Sequence, residues 1–212
     1  FLTEIAPKRI RTPIATMIEL LAAIPSVVLG LWGILVFGPF SRDYIESWLK
    51  TVFGWIPIFG GTPSQAGILI AILILTIMIV PITSSISREL FANVPADLKE
   101  GAYGLGLTRW EMVRGVILPF TRAGVVAAII LGTGRAIGEA IAVSQVIGNR
   151  TAMPWRLFEA GNTLPSVIAN TYQGASTRLQ TASLVYLAVI LLVFTVIANL
   201  AAQWVVNRYR VK

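Results

Sequence analysis

The chain reads as an all-α integral membrane protein, a multi-helix transmembrane bundle, on three observations. Of its 212 residues, 56% are hydrophobic and 13% charged, about half the charged share of a soluble globular domain. Four stretches each offer roughly 20 or more mostly apolar residues, the length needed to cross about 30 Å of hydrocarbon. The basic residues are sorted along the chain rather than scattered. With no Cys and no His, disulfides, thiolate chemistry, imidazole metal sites and Ser-His or Cys-His catalysis are excluded, and no metal site is expected.

The elements follow in order. Residues 1–12 are basic and begin without an initiator Met, which points to an upstream segment removed or left out. The first span is expected at 13–37, with Glu19 near its start and Pro25 inside it. In residues 41–55, Ile45, Trp48, Leu49, Val52 and Phe53 recur at the 3, 4, 7, 8 spacing of a helix face. That spacing fits an amphipathic helix in the outer interface, with Trp48 and Trp55 at headgroup depth, or equally a helix packed on the bundle. The second span is expected at 66–85 and a long patterned loop at 86–121. The third span, 122–148, is apolar except around Arg135-Ala136-Ile137-Gly138-Glu139. A polar outer loop at 149–180 carries one short helix near Pro165–Tyr172, and the fourth span is 182–206.

Charge gives the direction. Eleven of the seventeen basic residues, Lys8, Arg9, Arg11, Arg88, Lys99, Arg109, Arg114, Arg122, Arg208, Arg210 and Lys212, fall in 1–12, 86–122 and 207–212. Those segments are assigned to the cytoplasm by the excess of Lys and Arg in inner loops. The net charge of +7 is thereby a topology signal, and no nucleic-acid partner is implied. Two side-chain patterns stand out within the spans. Gly124, Ala128 and Gly132, then Gly134 and Gly138, repeat small residues every four positions, which admits a neighbouring helix at close range. Thr195, Asn199 and Gln203 form a polar stripe read as helix–helix hydrogen bonding.

In the loop, Pro95 suits the start of a helix, with Asp97 and Glu100 in its first turns. Gly101, Gly104 and Gly106 are expected to end it, and a second short helix over 109–116 to lead back to the bilayer at Pro119. The stretch Glu100-Gly101-Ala102-x3-Gly106-x9-Val116-x-Leu118-Pro119 resembles the cytoplasmic EAA loop of bacterial ABC importer permeases, a family with a MetI-like fold. Gly101 stands where that pattern has Ala, and Val116 where it has Ile. The resemblance implies that Glu100, Gly101, Ala102, Gly106, Leu118 and Pro119 dock on an ATPase subunit.

Phe1–Pro7 leading into Ala23–Gly33, Gly134–Val143 and Gly161–Asn170 further resemble the permeases of phosphate-specific importers of the PstC type. Members of that family carry six spans, so four here imply two more, with Phe1–Ala6 as the end of the second. The resemblance implies phosphate as substrate and, as partners, a second permease of the PstA type, ATPase subunits of the PstB type and a binding protein of the PstS type. No cofactor is expected in this chain, ATP and Mg being bound by the ATPase. The chain has no Gly-x4-Gly-Lys-[Ser/Thr] phosphate loop of its own, and it reads as a transport subunit of the bacterial inner membrane rather than an enzyme.

The expected substrate path centres on Arg135 and Glu139. Four residues apart, they would share a helix face and pair, about 20 Å along the helix from Arg122. A charge at that depth must face the bundle interior or a watery path. Arg suits an oxyanion, with Glu139 restraining the guanidinium. Permeases for sulfate or molybdate, the PstA-type subunit and an ion-coupled carrier remain alternatives at this stage.

Overall fold

The computed structural model describes residues 3–209. Helices follow in the order α1 (Lys8–Ala23), α2 (Ser26–Phe53), α3 (Ile68–Ala92), α4 (Ala96–Gly104), α5 (Arg109–Ile137), α6 (Ile141–Val146), α7 (Leu164–Thr171) and α8 (Arg178–Tyr209), with no strand among the described residues. Short 3-10 turns occupy Pro57–Phe59 and Tyr172–Gly174. By length and composition α3, α5 and α8 are each able to cross a membrane, and α1 with α2 make a fourth span only when taken together.

Two expected spans take a different form. The single span at 13–37 is interrupted at Ile24-Pro25, where Pro25 is extended (φ −60°, ψ 140°). Proline disfavours helix in the residue before it and has no N–H to continue the ladder. The span expected at 122–148 ends at Ile137; Gly138–Ala140 are non-helical before α6 begins. Its other end reaches back beyond Pro119, because α5 is continuous from Arg109 and widens into a π turn at Val113–Ile117 just before that proline. Proline removes an i→i−4 hydrogen bond, and an extra residue in the turn accommodates the gap.

Residues 41–53 form no separate outer helix but continue α2, which contains two π turns, Gly33–Phe37 and Ser41–Glu46, and ends at Phe53. Each π turn adds a residue and rotates the faces that a 3.6-residue period would align. The buried positions are accordingly Ser41 and Glu46, while Trp48 and Val52 of the expected apolar face are exposed.

The chain forms two compact units. One comprises Phe1–Ala23, Ile79–Arg135 and Val196–Lys212. In it the small residues of α5 meet α3 as expected: a Cβ on Gly124 would stand 2.7 Å from Leu90, and one on Gly132 would stand 2.6 Å from Ile79. Arg88 on α3 pairs with Glu19 on α1. The other unit comprises Ile24–Met78 and Ala136–Thr195. Its core joins Leu29 of α2, Ile70, Ala71, Ile74 and Met78 of α3, and Ala142, Val143 and Val146 of α6. In the polar stripe on α8, the Thr195 hydroxyl donates to Leu191 O of its own helix at 2.7 Å rather than to a neighbouring helix.

Candidate functional site

Two regions hold the residues singled out by sequence. The first is the segment Ala96–Ile117. Pro95 precedes α4 in an extended conformation, and Asp97 lies in the first turn. Gly101 and Gly104 lie inside the helix; only Gly106 ends it. Gly106 N–H donates to Tyr103 O (2.9 Å) and Leu107 N–H to Ala102 O (3.1 Å), the two reverse bonds of a Schellman motif. That motif needs a left-handed residue, and Gly106 has φ +79°. Two residues later Thr108 caps α5: its hydroxyl accepts from Glu111 N–H at 3.3 Å, and the Glu111 carboxylate accepts from Thr108 N–H at 2.8 Å. The Thr-x-x-Glu spacing of this capping box is legible in the sequence.

The segment has its own small core of Val94, Ala102, Met112 and Ile117. Ala102, assigned to docking, is therefore a core residue, only 4% exposed. Glu100, Gly101, Gly106, Leu118 and Pro119 are exposed. Around them Leu105 and Trp110 stand 85% and 61% exposed, with Leu98 and Tyr103 also at the surface. Sequence reasoning did not single out these apolar side chains, although large apolar residues in a basic loop between spans are themselves a signal of a contact surface. Nothing lies within 4 Å of where a Cβ would sit on Gly101, Gly104, Gly106 or Gly115, so the surface is open to close approach.

The second region is the helix break after Arg135. Arg135 occupies the last turn of α5, is exposed, and makes no ion pair among the described residues. The i, i+4 helical pairing with Glu139 is not formed, because the helix that would carry it ends at Ile137. Glu139 instead accepts from Ala142 N–H at 3.2 Å, satisfying a free donor in the first turn of α6. Its own N–H donates to Ala136 O at 3.2 Å. The helix Ile141–Val146 is held tightly: a Cβ on Gly30 would stand 2.8 Å from Ala142 Cα, and Gly67 N–H donates to Val146 O at 3.0 Å.

Comparison with known proteins identifies the family. Residues 4–211 match the model of a family described as the binding-protein-dependent transport system inner membrane component. A phosphate transport system permease protein PstC of Pasteurella multocida is 43% identical over all of this chain and 67% of its own length. One from Haemophilus influenzae is 42% identical over 98% of this chain and 67% of its own. PstC 2 of Mycobacterium tuberculosis is 44% identical over 96% and 64% respectively. The chain thus spans about two thirds of the length of these relatives. Among solved structures, an inward-facing MetNI methionine ABC transporter chain superposes with a TM-score of 0.70 at 19% identity, over 96% of this chain and 77% of that one, a likeness of fold.

Proposed function

The chain belongs to the family of binding-protein-dependent transport system inner membrane components, and from that premise we propose that it is the membrane-spanning permease subunit of an ATP-driven phosphate importer. The substrate rests on the likeness to phosphate permeases over the whole chain. The observation that carries the mechanism is Arg135, an exposed guanidinium without an ion-pair partner among the described residues, at the end of an apolar helix. Arg keeps its charge and offers planar donors to an oxyanion. A second permease subunit supplies the other wall of the path. The ATPase, which binds ATP and Mg2+, docks on Leu98–Trp110, with Leu105 and Trp110 as its anchors and Glu100, Gly101, Gly106, Leu118 and Pro119 nearby. Ala102 supports that surface from within. Residues 86–121 and the C-terminus face the cytoplasm, and residues 149–180 face outward toward the binding protein.

Phosphate uptake per assembled complex tests the reading. Arg135→Gln abolishes uptake while the complex still assembles and hydrolyses ATP; Arg135→Lys, which keeps charge without the planar fork, retains part of it. Normal uptake by Arg135→Gln would remove Arg135 from the path. Single Cys residues replacing Asn93 and Gln173 in this Cys-free chain label from opposite sides; labelling of both from outside overturns the topology.

A further inference from the structure

Glu46 is a carboxylate with no exposed surface, set in the second π turn of α2. One oxygen, Oε2, accepts from Ser64 N–H at 2.7 Å. The other, Oε1, is buried without a partner, as is the Ser41 hydroxyl one turn away. Burying an unpartnered polar atom costs stability, and an apolar side chain of the same size would fill the space without that cost. The group is thus poorly explained by packing. What it supplies is the single short bond to Ser64.

That bond fixes a loop with consequences further along. The Ser64 hydroxyl donates to Ala66 O at 3.0 Å, and the next N–H, on Gly67, donates to the end of α6 at Val146 O. The loop is pinched on both sides. A Cβ on Gly38 would stand 2.4 Å from Gln65 O, and one on Gly67 would stand 3.0 Å from Phe158 O. On the far side of α6, Ala142 N–H is held by Glu139. A continuous set of contacts within one compact unit therefore runs from Glu46 through Ser64–Gly67 and α6 to the break that carries Glu139.

We propose that Glu46 is a positioning residue for transport: by holding Ser64 it clamps the loop Ser64–Gly67 onto α6 and so fixes the placement of Glu139. This rests on the reading of the Arg135–Glu139 break as part of the path. The proposal is tested in the fully assembled transporter with two variants, Glu46→Gln, which keeps an acceptor for Ser64 N–H, and Glu46→Met, which does not. Amide hydrogen exchange over residues 64–69 and 141–147 is expected to accelerate roughly tenfold or more in Glu46→Met and to stay as in the parent in Glu46→Gln. Maximal phosphate uptake per complex falls in Glu46→Met at unchanged half-saturation by loaded binding protein, is retained in Glu46→Gln, and shows non-additivity when Glu46→Met is combined with Glu139→Gln. Faster exchange confined to 64–66, or a Glu46→Gln variant that behaves as Glu46→Met, overturns the clamp. Should Glu46→Met fail to assemble, Gly67→Ala disturbs the same clamp from its other end, and unchanged exchange over 141–147 there overturns it equally. If Glu139→Gln transports normally, the path reading of Glu139 falls while the exchange result still decides the clamp.

Discussion

The glycines of the segment Ala96–Ile117 and those around α6 serve opposite ends. At Gly101, Gly104, Gly106 and Gly115 a Cβ would meet nothing within 4 Å; at Gly30, Gly33 and Gly38 it would meet another atom at 2.4–2.9 Å. In the first region a glycine keeps a surface low or lets the backbone turn left-handed. In the second it lets another backbone approach at Gly30 and Gly38 and packed side chains at Gly33. The same residue type thus occurs on an open surface and in a close-packed core, and only the surroundings tell them apart.

Substitution separates the two. The largest effect is expected for Gly38→Ala, whose Cβ would stand 2.4 Å from the backbone oxygen of Gln65, a contact no side-chain motion relieves. It should destabilise the purified complex by about 3 kcal/mol, read as a lower dissociation midpoint in heat or SDS. A midpoint equal to the parent would mean that the loop yields freely.

Gly106→Ala follows. Space is open there, but φ is +79°, so the cost is conformational, about 1–2 kcal/mol. Gly106→Asn, which tolerates that conformation better, should recover part of it by the same measurement; equal losses for the two would point to a docking rather than a backbone cause. Thr108→Ala removes one half of the capping box at Glu111 and should cost about 1 kcal/mol, with hydrogen exchange over 108–112 as the local readout.

The smallest effect has the opposite sign. Gly101 lies inside α4 with nothing within 4 Å of its Cβ position. Gly101→Ala should therefore stabilise by up to about 1 kcal/mol and leave ATPase coupling intact. A loss of coupling would show that the partner approaches closer than a methyl group allows.

How far the sequence reached differs between the regions for a physical reason. The spans α3 and α8, the start of α4 at Pro95 and the short helix α7 near Pro165 were all legible, because apolar length and proline position act over a few neighbouring residues. The Schellman turn at Gly106 and the capping box at Thr108–Glu111 are equally local, although two nearby glycines blur the first. The inward side of α2 was not legible, because two π turns displace the 3.6-residue count that would locate Ser41 and Glu46.

The sequence alone determined that this chain lives in a membrane, that its Lys and Arg residues are clustered along it, and that its motifs are those of an importer permease. Hydrophobic length, charge bias and local turn chemistry are summed along the chain and need no fold to read. Only the tertiary structure decided that Ala102 is buried, that the helix stops at Ile137 so that Glu139 caps α6 rather than pairing with Arg135, and that Glu46 lies buried against the Ser64 loop. Each of these depends on what another segment, distant in sequence, brings within a few ångströms, and spacing along one helix carries no record of that.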